Sequence, residues 1–360
     1  MIGAGGTAGH VVPALAVADA LRGEGAQVTF IGGQRAELEL VPAAGYALRT
    51  IAAAPLDRRR PLRAARAALV AAGGLHFAAR ILAEINPSAV MCAGGYVAGP
   101  VGLAAALRRI PLVLIEADSH LGLTNRLLAP LARRVCLAFA IEGRAGPRYE
   151  VTGRPVPPPA TDRAAARTRF GIAAQETCVL VFGGSQGARS INHAALAAFS
   201  GARFHVLHAA GERDLADLTD LAGLAGGAGA VAPGGHYDLR GYIPDFGQAL
   251  LASDLVVARA GGSIFEIAAH GRPAVLIPYP HATADHQSAN ARWMQRAGAA
   301  VVIPDSELSG PRLGDEVGSL LADQGRLASM ARASAEVARP GAAREIAAEV
   351  LAVARLPRAR

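Results

Sequence analysis

The chain has 360 residues, 52% of them apolar and 18% charged, a balance that excludes a disordered chain and suits two domains. All 36 basic residues are arginine, and the net charge of +7 points to an anionic partner (phosphate, nucleic acid or an acidic membrane surface) without choosing among them. Cys92, Cys136 and Cys178 stand far apart in no CxxC or His/Cys cluster, which disfavours a disulfide scaffold or a metal site and fits small buried residues in a reducing compartment.

The first residues, "MIGA", form a short strand or one clipped at its start, since a strand commonly has about five residues. No basic and apolar leader precedes them, so a cytoplasmic protein is expected. The turn "GAGGTAGH" follows, in which Gly3-x-Gly5-x-x-Ala8 fits the dinucleotide fingerprint loosely, and His10 opens a helix. The second strand, "AQVTFIGG", ends on Gly32, Gly33 and Arg35, where a dinucleotide fold would place an acid. "YALRTIA" is next. The most apolar stretch, Ala67 to Ala79, is too short to cross a bilayer and is bracketed by Arg66 and Arg80.

"AVMCAGG", "IPLVLIE" and "RRVCLAF" complete the first half. A stiff proline linker, "GRPVPPPATD", separates it from "TCVLVFGG", "RFHVLHAAG", "SDLVVARAGG", "RPAVLIPYP" and "GAAVVIPD". Near-continuous apolar runs that end in glycine predict buried parallel strands feeding tight turns. The expected fold is α/β, two doubly wound halves alike in architecture but not in sequence.

His10 sits where parallel sheets bind ligands, yet a solvent-facing cap would occupy the same place. In "LVFGGSQGARSIN", Gly183, Gly184 and Gly187 allow close backbone approach and Ser185 can bond a phosphate oxygen, with the helix start favouring an anion. The Lys-Ser/Thr of a P-loop is missing, which disfavours ATP hydrolysis. Glu266, in the first turn of a helix after "ARAGG", either compensates the helix dipole or accepts two ribose hydroxyls. "PYPHATADHQSANA" gathers His281, Asp285, His286, Gln287 and Asn290, more polar groups than a helix start needs, and matches no standard metal motif.

Taken in order, "GGTAGH", "CAGGYVAGP", "LGLTNRLLA", "FGGSQGAR" and "HQSANA" closely resemble the MurG family, UDP-N-acetylglucosamine transferases that make lipid II for peptidoglycan. The resemblance runs nearly end to end. It implies a GT-B fold, two Rossmann-like domains facing across a cleft: residues 1–153 on the acceptor and membrane side, joined by a last helix at about 341–360, and residues 154–340 for the donor. It implies inverting transfer of GlcNAc to the 4-hydroxyl of MurNAc in lipid I, with no cofactor and no metal. By position, His10 is the family's candidate base, with Glu116 beside it. The donor set is Thr7, Gly9, Asn125, Arg154, Ser185, Gln186, Gly187, Ile243, Phe246, Glu266, His286, Gln287 and Asn290. Gly5, Gly6, Gly94, Gly95 and Tyr96 would face the acceptor's diphosphate.

Several positions depart from the family. Ala8 replaces a glycine, Ala117 and Asp118 replace Gln-Asn, and Pro157 replaces a phosphate-facing arginine. Arg154, in place of Asn, is the substitute expected for that arginine. "RAGGSIFE" is one residue shorter than the common form. The implied location is peripheral, on the cytoplasmic face of the cell membrane. An anionic membrane surface would meet Leu56–Ile85, where Arg58, Arg59, Arg60, Arg63 and Arg66 interleave with Leu62, Leu69, Val70, Leu75 and Phe77, unless this is an ordinary amphipathic helix. Other cell-wall or division proteins are further partners implied by the family. The alternatives are a UDP-sugar epimerase or another GT-B lipid glycosyltransferase. The missing acid disfavours a nicotinamide dehydrogenase, and dispersed arginines with 4% aromatic residues disfavour nucleic acid as a partner.

Overall fold

The computed structural model describes residues 1–53, 61–184, 187–221, 230–231, 237–282 and 285–355, without the side chains of 61–72, 230 and 231. The chain divides into two compact units, Met1–Pro157 with Arg339–Arg360, and Pro158–Ala338.

The first unit is built on seven strands: β1 (Ile2–Gly3), β2 (Thr29–Gly32), β3 (Ala47–Thr50), β4 (Val90–Cys92), β5 (Leu112–Glu116), β6 (Arg134–Leu137) and β7 (Tyr149–Val151). They pair side by side in parallel in the order β3-β2-β1-β4-β5-β6-β7. β1 is short but paired on both sides, with Ile2 opposite Phe30 and Met91. Backbone bonds from Met91 N–H to Met1 O (2.9 Å) and from Ala4 N–H to Ile31 O (3.1 Å) extend its ladder.

Alternate residues of each strand feed opposite faces. Met91, Val113 and Ile115 pack with Val11, Ala14 and Val17 of the helix Ala8–Gly23. The same layer takes Ile346, Ala347, Val350 and Val353 from the helix Ala342–Ala354. Val90, Leu112 and Leu114 pack on the other face with Leu82, Val97 and Val101. Burial on both faces explains the unbroken apolar runs.

The second unit repeats the plan with β8 (Cys178–Phe182), β9 (His205–Ala209), β10 (Ala230–Val231), β11 (Tyr237–Arg240), β12 (Leu255–Ala258), β13 (Ala274–Leu276) and β14 (Ala300–Val302). Its order is β10-β11-β9-β8-β12-β13-β14, parallel except for the antiparallel edge pair β10 and β11. In both sheets the strand order reverses beside the first strand of the unit. The carboxyl ends of β1 and β4, and of β8 and β12, therefore flank the crevices where such sheets take ligands. Three strands have no counterpart in the apolar runs of the sequence: the edge strand β7, and β10 with β11.

Candidate functional site

The turns after β1 and β4 meet at the first crevice. Gly6, Gly94 and Gly95 have φ of +113°, +87° and +77°, a region that favours glycine. A Cβ on Gly95 would lie 2.1 Å from the Gly5 carbonyl oxygen, and one on Gly94 would lie 2.9 Å from His10 Cδ2. The two turns thus pack backbone to backbone, with the His10 ring against the second. His10 is the third residue of its helix and is half-buried. Its Nδ1 lies 3.4 Å from Thr7 Oγ1. Thr7 is the N-cap but its side chain makes no capping bond to the helix.

Arg154 reaches this turn from beyond β7 and donates from Nη2 to the Gly9 carbonyl at 2.6 Å. Burial, reinforced by the Arg154 charge and opposed by Asp118, lowers the His10 pKa below its ordinary 6.5. The imidazole is therefore neutral at neutral pH, as a proton acceptor must be.

Glu116 ends β5 and is 5% exposed. It accepts from Asp118 N–H (3.1 Å), Gly122 N–H (2.8 Å) and Asn125 Nδ2 (3.0 Å). Burial raises its pKa against the pull of these donors. Asn125 Nδ2 also donates to the Ile115 carbonyl at 2.8 Å, while its buried Oδ1 has no hydrogen-bond partner among the described residues. Thr7, Gly9, Asn125 and Arg154 all belong to the first unit, together with His10.

In the second unit Ile243 is buried, and Phe246 packs edge-on against Phe182 at the end of β8, 4.8 Å between ring centres. Glu266 stands in the first turn of the helix Ile264–Ala269, half-buried. Its backbone carbonyl accepts from His270 Nδ1 at 2.8 Å, and His270 Nε2 accepts from Ala160 N–H at 3.1 Å. His286, Gln287 and Asn290 begin the helix His286–Arg296. Gln287 Oε1 accepts from Tyr279 N–H at 2.9 Å. Asn290 Nδ2 donates to the Ala260 carbonyl at 2.9 Å, leaving its Oδ1 buried and unpartnered among the described residues. A Cβ on Gly187 would meet the Ala210 carbonyl oxygen at 2.2 Å. Ser185 and Gln186 lie outside the described residues, as do Arg58, Arg59, Arg60 and the side chains of Arg63 and Arg66.

Three groups were not singled out by the sequence, although Arg259 lies within "RAGGSIFE". Glu37, wholly buried, accepts from Gly6 N–H (2.9 Å) and Gly33 N–H (2.8 Å). Arg259, at the end of β12, donates to Ser190 Oγ (2.7 Å) and Asp305 Oδ1 (2.5 Å) and so braces the turn before Glu266. His208 is buried between Tyr237 Oη (2.8 Å) and Asn192 Oδ1 (3.1 Å), and burial pushes its pKa down to about 3. Asn192 Nδ2 in turn donates to the Ala210 carbonyl (2.9 Å), which underlies Gly187. Polar residues flanking a glycine turn were the available signal for Asn192, and nothing marked Glu37. Among the described residues no group of three His, Cys, Asp or Glu is placed to hold a metal ion.

Residues 1–137 match the Glycosyltransferase family 28 N-terminal domain, and residues 178–346 match its C-terminal domain. The UDP-N-acetylglucosamine–N-acetylmuramyl-(pentapeptide) pyrophosphoryl-undecaprenol N-acetylglucosamine transferase of Moorella thermoacetica is 41% identical over 98% of each chain. The protein of the same name from Halorhodospira halophila is 42% identical over 96% of each. The crystal structure of Acinetobacter baumannii MurG superposes with a TM-score of 0.76 and 28% identity, covering 98% of each chain. The two doubly wound units are those of a GT-B glycosyltransferase, and the chain belongs to the MurG group of glycosyltransferase family 28.

Proposed function

We propose that this chain transfers N-acetylglucosamine from UDP-N-acetylglucosamine to the 4-hydroxyl of the muramoyl sugar of lipid I, giving lipid II, with inversion at the anomeric carbon. Near full-length identity to transferases of that name supports the reaction. The observation that carries the mechanism is the lowered pKa of His10 at the mouth of its helix, between two glycine turns.

In this reading neutral His10 takes the proton of the 4-hydroxyl as the oxygen bonds to the anomeric carbon. The bond from that carbon to the phosphate oxygen breaks, and UDP leaves from the opposite face. A positioned base contributes roughly a hundred- to ten-thousand-fold. Arg154 fixes the Gly9 carbonyl and adds its charge to the burial that keeps the imidazole neutral. Glu116, engaged by three donors, holds the loop to Asn125 in place beside His10. The turns at Gly5, Gly6, Gly94 and Gly95, with Tyr96, receive the acceptor's diphosphate at two helix starts.

In the second unit, Glu266 takes the ribose hydroxyls, backbone at Ile243 reads the uracil edge, and Phe246 packs beside it. Ser185, Gln186 and Gly187 receive the donor diphosphate, while His286, Gln287 and Asn290 meet the sugar. Developing charge on the leaving diphosphate is where fixed amide donors act most strongly. No helix among the described residues is long and apolar enough to cross a membrane. The lipid-linked acceptor then calls for peripheral contact with an anionic cytoplasmic surface. Exposed Phe77, Leu107, Leu127 and Leu131, all in the first unit, support it.

Incubation with labelled UDP-N-acetylglucosamine and a lipid I analogue tests the reading. A labelled disaccharide that forms only with acceptor is expected. An epimerised sugar nucleotide formed without acceptor would overturn it.

A further inference from the structure

Turns after β1, β2 and β4 come together around one side chain. Glu37 opens the helix Glu37–Ala43 and points back under the sheet edge, 0% exposed. Its Oε2 accepts from Gly6 N–H at 2.9 Å, its Oε1 from Gly33 N–H at 2.8 Å, and Tyr96 Oη stands 3.4 Å from Oε1. A buried carboxylate is costly unless such donors surround it, and charge-assisted bonds to amides are the strong ones.

The neighbouring glycines are bare on the side that faces this carboxylate. A Cβ on Gly5 would lie 3.0 Å from Oε1 and one on Gly33 2.9 Å from it, while one on Gly32 would lie 2.8 Å from Glu37 Cγ. Gly32 and Gly33, which end the second strand where a dinucleotide fold would place an acid, form a socket for an acid four residues further on. Tyr96 closes the socket: a Cβ on Gly33 would come 2.5 Å from its Oη, and one on Gly6 3.3 Å from its ring. Burial and the neighbouring Glu37 charge raise the Tyr96 pKa, so its hydroxyl stays protonated and able to donate.

We propose that Glu37 is a positioning residue for acceptor binding: its carboxylate ties the Gly6 and Gly33 amides together and so sets the shape of the glycine turn that leads into His10. This rests on the reading that the turn meets the acceptor's diphosphate. The Gly6 amide is spent on Glu37, so the diphosphate is received by the other amides of the turn, which Glu37 holds in register. Glutamine at this place keeps the volume but turns an NH2 group toward one of the two amides. Aspartate keeps the charge but is one methylene short and reaches only one of them.

The test compares Glu37→Gln and Glu37→Asp with the full-length wild type, using a lipid I analogue as acceptor and calorimetry with UDP for the second unit. Loss of one buried charge-assisted bond predicts that acceptor kcat/KM falls about ten- to hundredfold in Glu37→Gln. Donor KM and UDP affinity should hold, and Glu37→Asp should recover part of the loss. A fold-wide structural role would not split the two substrates in this way. Wild-type acceptor kinetics in a folded Glu37→Gln protein would overturn the proposal. So would loss of UDP binding in both variants, which would leave Glu37 a role in folding alone. Failure of the underlying reading looks different: in Glu37→Gln the donor KM would rise while the acceptor KM stayed at its wild-type value.

Discussion

Gly95→Ala isolates the packing of the two turns that frame His10. The new Cβ would start 2.1 Å from the Gly5 carbonyl oxygen, a backbone atom, and must open that contact by about 1.3 Å to reach van der Waals distance. Gly95 also has φ of +77°, which costs a residue bearing a Cβ about 1–2 kcal/mol. Strain alone should lower Tm by about 2–8 °C in a unit of this size. Displacing the turn that leads to His10 by about 1 Å should cost about a hundredfold in kcat. Gly25→Ala separates the two effects, because Gly25 has φ of +81° with nothing within 4 Å. Melting curves, steady-state kinetics with a lipid I analogue and UDP calorimetry read the three quantities. Both variants should melt lower and bind UDP normally, and only Gly95→Ala should lose turnover. Equal kcat in the two would refute the idea that the second turn positions His10.

His10→Ala should lower kcat by about a hundred- to ten-thousand-fold and abolish the acid limb of the pH profile, with UDP affinity unchanged. Burial and the Arg154 charge both disfavour the imidazolium, so the wild-type acid limb should fall below pH 6.5, and Arg154→Gln should move it to higher pH. Glu266→Ala should weaken UDP binding by roughly 1.5–3 kcal/mol in calorimetry and erase the preference for ribose over deoxyribose. Co-sedimentation should require anionic vesicles, weaken with salt, and fall when Arg59, Arg60 and Arg63 become Gln. Equal binding to neutral vesicles would reject that patch.

The parallel sheets were legible because strands buried on both faces need unbroken apolar runs, as in the "LVLIE" of β5 and the "CVLVF" of β8. β7 was not, because an edge strand with exposed Glu150 and Val151 needs no such run. β11 was not, because its Asp238 is matched within the strand by Arg240 at 2.6 Å, so polar residues replace the apolar pattern. The glycine turns and His10 were legible because tight turns leave a compositional mark. Glu37 left none: the acid lies four residues past the strand, and only the fold back of its helix brings it under Gly6. Asn192 and His208 likewise lie 16 residues apart and meet only across neighbouring elements.

The helix Ala342–Ala354 seals one face of the first unit's sheet with Ile346, Val350 and Val353, yet it is made after the whole of the second unit. On the ribosome, the later unit is thus the first able to close. Val11, Ala14 and Val17 must wait with their side of the layer open while the ribosome adds the intervening chain. At the usual 5–20 residues per second that wait lasts about 10–40 s. A chain ended just past residue 338 would carry the whole of the second unit but lack the helix that seals the first.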